Sequence, residues 1–297
     1  MTTIILSEQL KALRKKHSMT QEQLSEKLGV SRQAITKWET NLGIPDVENI
    51  IALSQLFGVS MEELLFARGA AEQKREFLYE SVTEYDIDEV KHFDMDLSSM
   101  REVSLMGYEG EKIRVVLSSN EIKDIERYFK VKIDDIRKRI DLSIHHKHPI
   151  TEMESKDKLH VLVQLPASYI KDIECAARAS CMHLISIECQ NIELDIRTSR
   201  LILDTICSPV EINCNQDMDI QCMTLEKDIS INQISSTSTI HIPDGTKFTA
   251  VQKGMRTKIL FKKGEQTTES FSVPNAESII EINGFKSELT IQMEDVV

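Results

Sequence analysis

Met19-Thr20-Gln21-Glu22-Gln23-Leu24-Ser25-Glu26-Lys27-Leu28-Gly29-Val30-Ser31-Arg32-Gln33-Ala34-Ile35-Thr36-Lys37-Trp38-Glu39 is the stretch from which the fold is read. Thr20 with Gln23 forms a capping box: the hydroxyl takes the Gln23 amide hydrogen and the Gln23 side chain reaches back. Leu24 and Leu28 share one face of the helix so opened. Gly29 closes it, because glycine enters the left-handed region without steric cost. Ser31 then caps a further helix, with Ile35 and Trp38 facing inward. Only Gly29-Val30-Ser31 separates the two. So short a link forces a sharp corner, the helix-turn-helix arrangement, rather than an antiparallel hairpin.

Working outward, Leu6, Leu10 and Leu13 recur at i, i+4 and i+7, one face of a helix ending near His17. Pro45 and Asp46 open a fourth helix carrying Val47, Ile50, Ile51 and Leu53, closed at Gly58. Ser60-Met61-Glu62-Glu63 is a second capping box, opening a short fifth helix with Leu64. The expected organisation is a five-helix domain over residues 1–66, a helical linker over 67–94 and a β-rich domain over 95–297. Ala67-Arg68-Gly69-Ala70-Ala71-Glu72-Gln73-Lys74-Arg75-Glu76 is polar and rich in helix formers, which suits a linker.

The segment 19–39 closely resembles the phage-repressor (Cro/CI, XRE-like) DNA-binding family, and the resemblance runs from about Leu6 to Leu65. One departure is Ser25, where the family usually has alanine; serine is small enough to fit. The resemblance implies that the helix after Ser31 enters the major groove of a double-stranded DNA operator. Its early exposed positions are Arg32 and Gln33, with Thr36 and Lys37 one turn on. Arg suits guanine O6/N7 and Gln suits adenine N6/N7, each a matching two-pronged edge. Gln21 matches the family's phosphate-contact position at a helix N-terminus, and Lys37 and Asn41 are further phosphate candidates. The DNA-facing set is thus Gln21, Ser31, Arg32, Gln33, Thr36, Lys37 and Asn41. Arg14 and Glu39 match a charged pair that links helices in some members. Trp38, the one tryptophan, is read as core or as a wall against the DNA backbone.

Charge agrees with a local interface. The chain of 297 residues has a formal net charge of −12, which excludes a uniformly basic coat. Residues 1–65 carry seven Lys/Arg and eight Asp/Glu, so nearly all the acidity lies in the remainder. No run of about 18 apolar residues suggests a membrane span, and the N-terminus lacks the basic and apolar regions of a signal peptide. A cytoplasmic protein with reduced cysteines is expected.

Beyond residue 158 the texture is of short strands. Lys158–Pro166 ends at a proline; Ile170–Cys175, Leu184–Cys189, Ile192–Arg197, Leu201–Ile206, Val210–Cys214, Met218–Cys222, Ile229–Ile234 and Thr239–Ile242 follow. Spacings of about 8 to 12 residues suit turns of a coil. Alternate positions are of inward type, as in Val210/Ile212/Cys214, so the expected architecture is an all-β solenoid or β-roll. The pattern resembles adhesin-like solenoid domains of unassigned function, some fused to helix-turn-helix heads. Only ten glycines punctuate the chain, and a β-sandwich is the competing architecture.

Three constellations bear on chemistry. The six cysteines, Cys175, Cys181, Cys189, Cys207, Cys214 and Cys222, include no C-x-x-C chelate. Four of them follow an Ile by two residues, the inward side of a strand, where Cys acts as a small apolar residue. Cys181 and Cys207 break that pattern and are the thiol candidates for a metal or redox site. His145-His146-Lys147-His148 places His146 and His148 on one face of a strand, a pair suited to a metal or haem, or else a solvated loop before Pro149. Asp195, Asp204, Asp217 and Asp219 have no fixed spacing, and no nucleophile elbow, phosphate loop or H-E-x-x-H occurs. The reading is a DNA-binding regulator, taken as a repressor, without cofactor and not an enzyme. It binds an inverted-repeat operator as a homodimer and has a β-body for oligomerisation or sensing an effector. The alternatives are a metal-, haem- or thiol-responsive sensor and a solenoid enzyme with a DNA-binding head.

Overall fold

The structure is a computed structural model, and it describes residues 6, 10, 11, 13–15, 17, 19–40, 43, 45–57, 77–147, 152–263, 266–268, 276 and 278–294. The chain divides into two compact units, residues 1–72 and 73–297.

In the first unit, residues 6, 10, 11 and 13–15 are helical, followed by α1 (Gln21–Leu28), α2 (Arg32–Glu39) and α3 (Val47–Phe57). The fifth helix expected at 60–64, Asn41 and the segment 67–76 lie outside the described residues. Leu6, Leu10, Leu24, Ile35, Trp38, Ile50, Leu53 and Phe57 form one buried cluster, with Leu13, Leu28 and Val30 packed against it. Trp38 is therefore a core residue. Each such side chain contributes about 1.5–3 kcal/mol when fully buried, so this small core sustains a short helical unit. Ser25 is buried at the family's alanine position, and its hydroxyl donates to the Glu22 carbonyl at 2.7 Å. That bond satisfies a polar atom that would otherwise be costly there.

The second unit is predominantly β: among the described residues, eighteen strands join one hydrogen-bonded network. It begins earlier than the sequence suggested. Within residues 79–94, expected in a helical linker, lie β1 (Tyr79–Asp86) and the start of β2 (Lys91–Tyr108). Tyr79-Glu80-Ser81-Val82-Thr83-Glu84-Tyr85-Asp86 alternates strictly between half-buried and exposed positions. Its charged half hid a period of two that β-branched and aromatic residues supply. Next come β3 (Lys112–Ser119), the short helix α4 (Ile125–Tyr128), β4 (Phe129–Ile136), β5 (Arg139–His146), helix α5 (Glu152–Lys158) and β6 (His160–Pro166). Here antiparallel pairs, β1 with β3, β3 with β6 and β4 with β5, mix with parallel ones.

From β7 (Ile170–Ile187) onward the pairing is mainly parallel. The segments expected as two strands at 170–175 and 184–189 fall in this one long strand, which ends at Ile187. The next strands are β8 (Ile192–Arg197), β9 (Arg200–Ile206), β10 (Val210–Asn213), β11 (Met218–Cys222), β12 (Ile229–Ile234) and β13 (Thr237–Pro243). After these come β14 (Phe248–Met255), β15 (Lys258–Lys263), β16 (Gln266–Thr268), β17 (Ser278–Phe285) and β18 (Glu288–Glu294). Each of β8 to β11 pairs with the next strand but one, so two ladders run side by side. One is β2-β7-β8-β10-β12-β17-β14; the other is β2-β7-β9-β11-β13-β18-β15. β2 and β7 are long enough to serve both. Inward residues stack in columns, for example Met95, Cys175, Leu194, Ile212, Ile231 and Ile282, all buried. Among the described residues no helix is long and apolar enough to cross a membrane.

Candidate nucleic-acid interface

The site is built on α1 and α2 by their local chemistry. Thr20 and Gln23 close the capping box: the Gln23 N–H donates to Thr20 Oγ1 at 3.1 Å and the Thr20 N–H donates to Gln23 Oε1 at 2.8 Å. Gly29 ends α1 at φ +69°, and its N–H turns back to the Glu26 carbonyl. Ser31 Oγ accepts the Ala34 N–H at 3.2 Å and opens α2. On α2, Ile35, Trp38 and Glu39 are buried, while Ser31, Arg32, Gln33, Thr36 and Lys37 are exposed along the opposite side. Five of the seven expected DNA-facing residues thus share one solvent face. It carries two cations, and the single carboxylate of α2, on Glu39, is turned away.

Glu39 is the hub of the unit. Its side chain is 2% exposed, and Arg14 meets it with two prongs, Nε to Oε1 at 2.6 Å and Nη2 to Oε2 at 2.9 Å. The remaining Arg14 prong, Nη1, donates to the Met19 carbonyl at 2.8 Å. Gln21 Nε2 donates to Glu39 Oε2 at 2.8 Å, and Gln21 Oε1 lies 3.1 Å from the Thr36 hydroxyl, which has the Arg32 carbonyl at the same distance. Burial alone would raise the Glu39 carboxyl, but the hydrogen bonds from Arg14 and Gln21 outweigh it and hold the group below the usual carboxylate range. The bond to Glu39 raises the Arg14 guanidinium in turn. Sequence reasoning found the Arg14–Glu39 pair but placed Gln21 on phosphate alone. In the structure both ends of the Gln21 amide are engaged inside the protein, tying α1 to α2.

The other candidates are dispersed over the β unit. His146 Nε2 lies 2.7 Å from Ser155 Oγ and its ring packs on Phe129 at 5.2 Å, which fits a side chain held in place for structure. His148 lies outside the described residues. Cys175, Cys214 and Cys222 are buried, whereas Cys181, Cys189 and Cys207 are half-buried. Burial pushes the Cys175 thiol well up and the Cys222 thiol up to about 12. Desolvation also raises Cys189, and raises Cys207 with help from Glu226. Cys181 Sγ is 3.1 Å from His183 Nε2, a neighbour that sequence reasoning did not pair with it. Asp217 accepts the Thr237 N–H, Asp219 contacts His241 and Asp204 accepts from Thr205, so these three aspartates each engage a different neighbour.

A helix-turn-helix family model, HTH_3, matches residues 10–64. An HTH-type transcriptional activator of Enterococcus faecalis, BcrR, is 48% identical over 59 residues, which are 20% of this chain and 29% of the activator. The chain therefore spans under a third of that relative's length. An uncharacterised HTH-type transcriptional regulator of Methanocaldococcus jannaschii is 37% identical over 59 residues, 20% of this chain and 89% of the relative. The crystal structure of a candidate cell adhesion protein from Clostridium sporogenes is similar over 73% of this chain and 100% of its own, at 12% identity and a TM-score of 0.36.

Proposed function

The chain belongs, through its first unit, to the helix-turn-helix transcriptional regulators, and from that premise we propose that it recognises one operator sequence with the exposed side of α2 and acts on transcription as a repressor. The observation that carries this reading is the outward row Ser31, Arg32, Gln33, Thr36 and Lys37 on a helix whose orientation is fixed by the buried Glu39 hub. Arg32 and Gln33 supply two-pronged base contacts, and Lys37, Asn41 and the N-terminus of α1 supply phosphate contacts. An incoming phosphate displaces one of the Gln21 partners. Repression is the simplest output, since occupancy alone excludes polymerase and no activating surface is needed.

The acidic β unit repels DNA, so useful affinity requires two heads on an inverted repeat, joined as a homodimer through the body. We read that body as a β-solenoid in which each turn gives one strand to each ladder. Column neighbours Ile173, Ile192, Val210 and Ile229, spaced 18 or 19 residues apart, support that reading. The protein works in the cytoplasm. Footprinting of the full chain on its own upstream region tests the proposal. The expected result is a protected inverted repeat that Arg32→Ala abolishes or weakens; protection without sequence preference speaks against it. The second reading is a thiol-responsive regulator, and the contact between Cys181 and His183 favours it. Loss of operator binding on mild oxidation, absent in Cys181→Ser, would establish that reading.

A further inference from the structure

We propose that the β unit carries a binding site for a divalent transition-metal cation, formed by His92, Asp94 and Glu174 and oriented by Asp172. The residues come from two adjacent parallel strands. His92 and Asp94 alternate on β2, Asp172 and Glu174 alternate on β7, and the register sets His92 beside Asp172 and Asp94 beside Glu174. The intervening Phe93 and Ile173 are buried, so all four polar side chains stand on the outer side of the sheet. One ligand atom each from His92, Asp94 and Glu174 lies within 4.8 Å of the others, and His92 Nε2 is 3.8 Å from Glu174 Oε2.

The histidine separates this group from an ordinary acidic patch. Its Nδ1 is bonded to the Asp172 carboxylate, which fixes the ring and leaves Nε2 on the side of Glu174. A carboxylate behind a histidine is the outer-shell partner that metal-ligating imidazoles regularly have. At metal–ligand distances of about 2.0–2.2 Å, neighbouring donors stand about 3–3.6 Å apart. The exposed Glu174 and the half-exposed Asp94 need only a small side-chain rotation to reach that spacing.

The surrounding charge also favours a cation. Asp141, Asp94, Glu174, Glu193 and Glu211 occupy one outward row across neighbouring strands. Like charges placed side by side in a sheet are destabilising. Arg139 approaches Asp94 only at 3.8 Å, while it binds Asp141 at 2.5 Å. One imidazole with two carboxylates, and water at the remaining positions, selects a first-row divalent transition ion over calcium or magnesium, which take oxygen donors. The site stands independently of the DNA-binding reading and uses none of the residues proposed for it.

Titration of the full chain with Co2+, thiols kept reduced, tests the proposal by calorimetry and visible absorption. One saturable equivalent is expected, with d–d bands and no thiolate charge-transfer band, displaced by Zn2+ but not by millimolar Ca2+. Affinity should fall by about tenfold or more in His92→Gln and Glu174→Gln, and by about 10–100-fold in the positioning variant Asp172→Asn. Circular dichroism of each metal-free variant checks folding, and the exposed Glu174→Gln decides the matter should His92→Gln be misfolded. The proposal is overturned by the absence of a saturable site, by Glu174→Gln affinity within twofold of the parent, by displacement with Ca2+, or by a charge-transfer band placing the ion on cysteine.

Discussion

At the scale of single residues, we propose that the first unit separates recognition from support. Arg32 is exposed, and among the described residues its side chain makes no hydrogen bond or ion pair, so Arg32→Ala should leave stability unchanged while costing about 1–3 kcal/mol of operator affinity. It should also relax preference at one base position, and a gel-shift series over single-base operator variants measures both effects. Glu39 is the opposite case. Its carboxylate is held below the ordinary range by Arg14 and Gln21, so the folded state binds a proton more weakly than the unfolded chain, whose Glu titrates near about 4.3. The stabilisation is complete above that value and is lost as pH falls through the depressed folded pKa. Glu39→Gln leaves Arg14 without its charged partner and should cost on the order of 3 kcal/mol at neutral pH. The difference between parent and variant, followed by thermal unfolding of the first unit against pH, should stay flat above about pH 5 and shrink in acid. A constant difference down to pH 3 would contradict the hub assigned to Glu39.

At the scale of elements, caps and strand faces make the predictions. Gly29 holds φ +69° with open space where a Cβ would stand, so Gly29→Ala meets no neighbour and carries only the backbone cost. That should be about 1 kcal/mol, read as a fall in the unfolding midpoint of the first unit. In the β unit, thiol reactivity should follow strand face. Cys175, Cys214 and Cys222 are buried in the stack, out of a reagent's reach, and burial raises the Cys175 and Cys222 thiols as well. Labelling of the native chain at neutral pH should therefore reach only Cys181, Cys189 and Cys207, with the other three modified after unfolding. Mass spectrometry of time points distinguishes this from uniform labelling. The period-two pattern assigned Cys175, Cys214 and Cys222 to the inner side correctly. It also placed Cys189 there; Cys189 lies two residues past the end of β7 and is half-buried, packed against the same core.

At the scale of the whole molecule, the two units have separate cores. Residues 1–72 contain the helical core, the caps and the Glu39 hub, so a fragment of that length should fold. If the body joins the heads, the fragment should bind a single half-site and lose most of the full chain's affinity for the inverted repeat at equal salt. Half-site centres should stand about 34 Å apart or a multiple of it. Equal affinity of fragment and full chain, measured by gel shift at one salt concentration, would place the dimer contacts in the head instead.

The sequence by itself determined what local chemistry determines. Thr20 with Gln23, Gly29 and Ser31 mark helix ends within four residues of the groups they satisfy, and the alternation of apolar residues marks strands and their inner side. The direction in which Arg32 and Lys37 face follows from the same periodicity. Only the tertiary structure decided which distant groups meet. Gln21 joins Glu39 across eighteen positions, and His92 joins Asp172 across eighty. β1 was hidden because its charged half obscures its alternation until β3 pairs with it. Strand partners are selected by how buried columns stack, a property of residues far apart in the chain, and spacing along one segment carries no record of which segment will lie beside it.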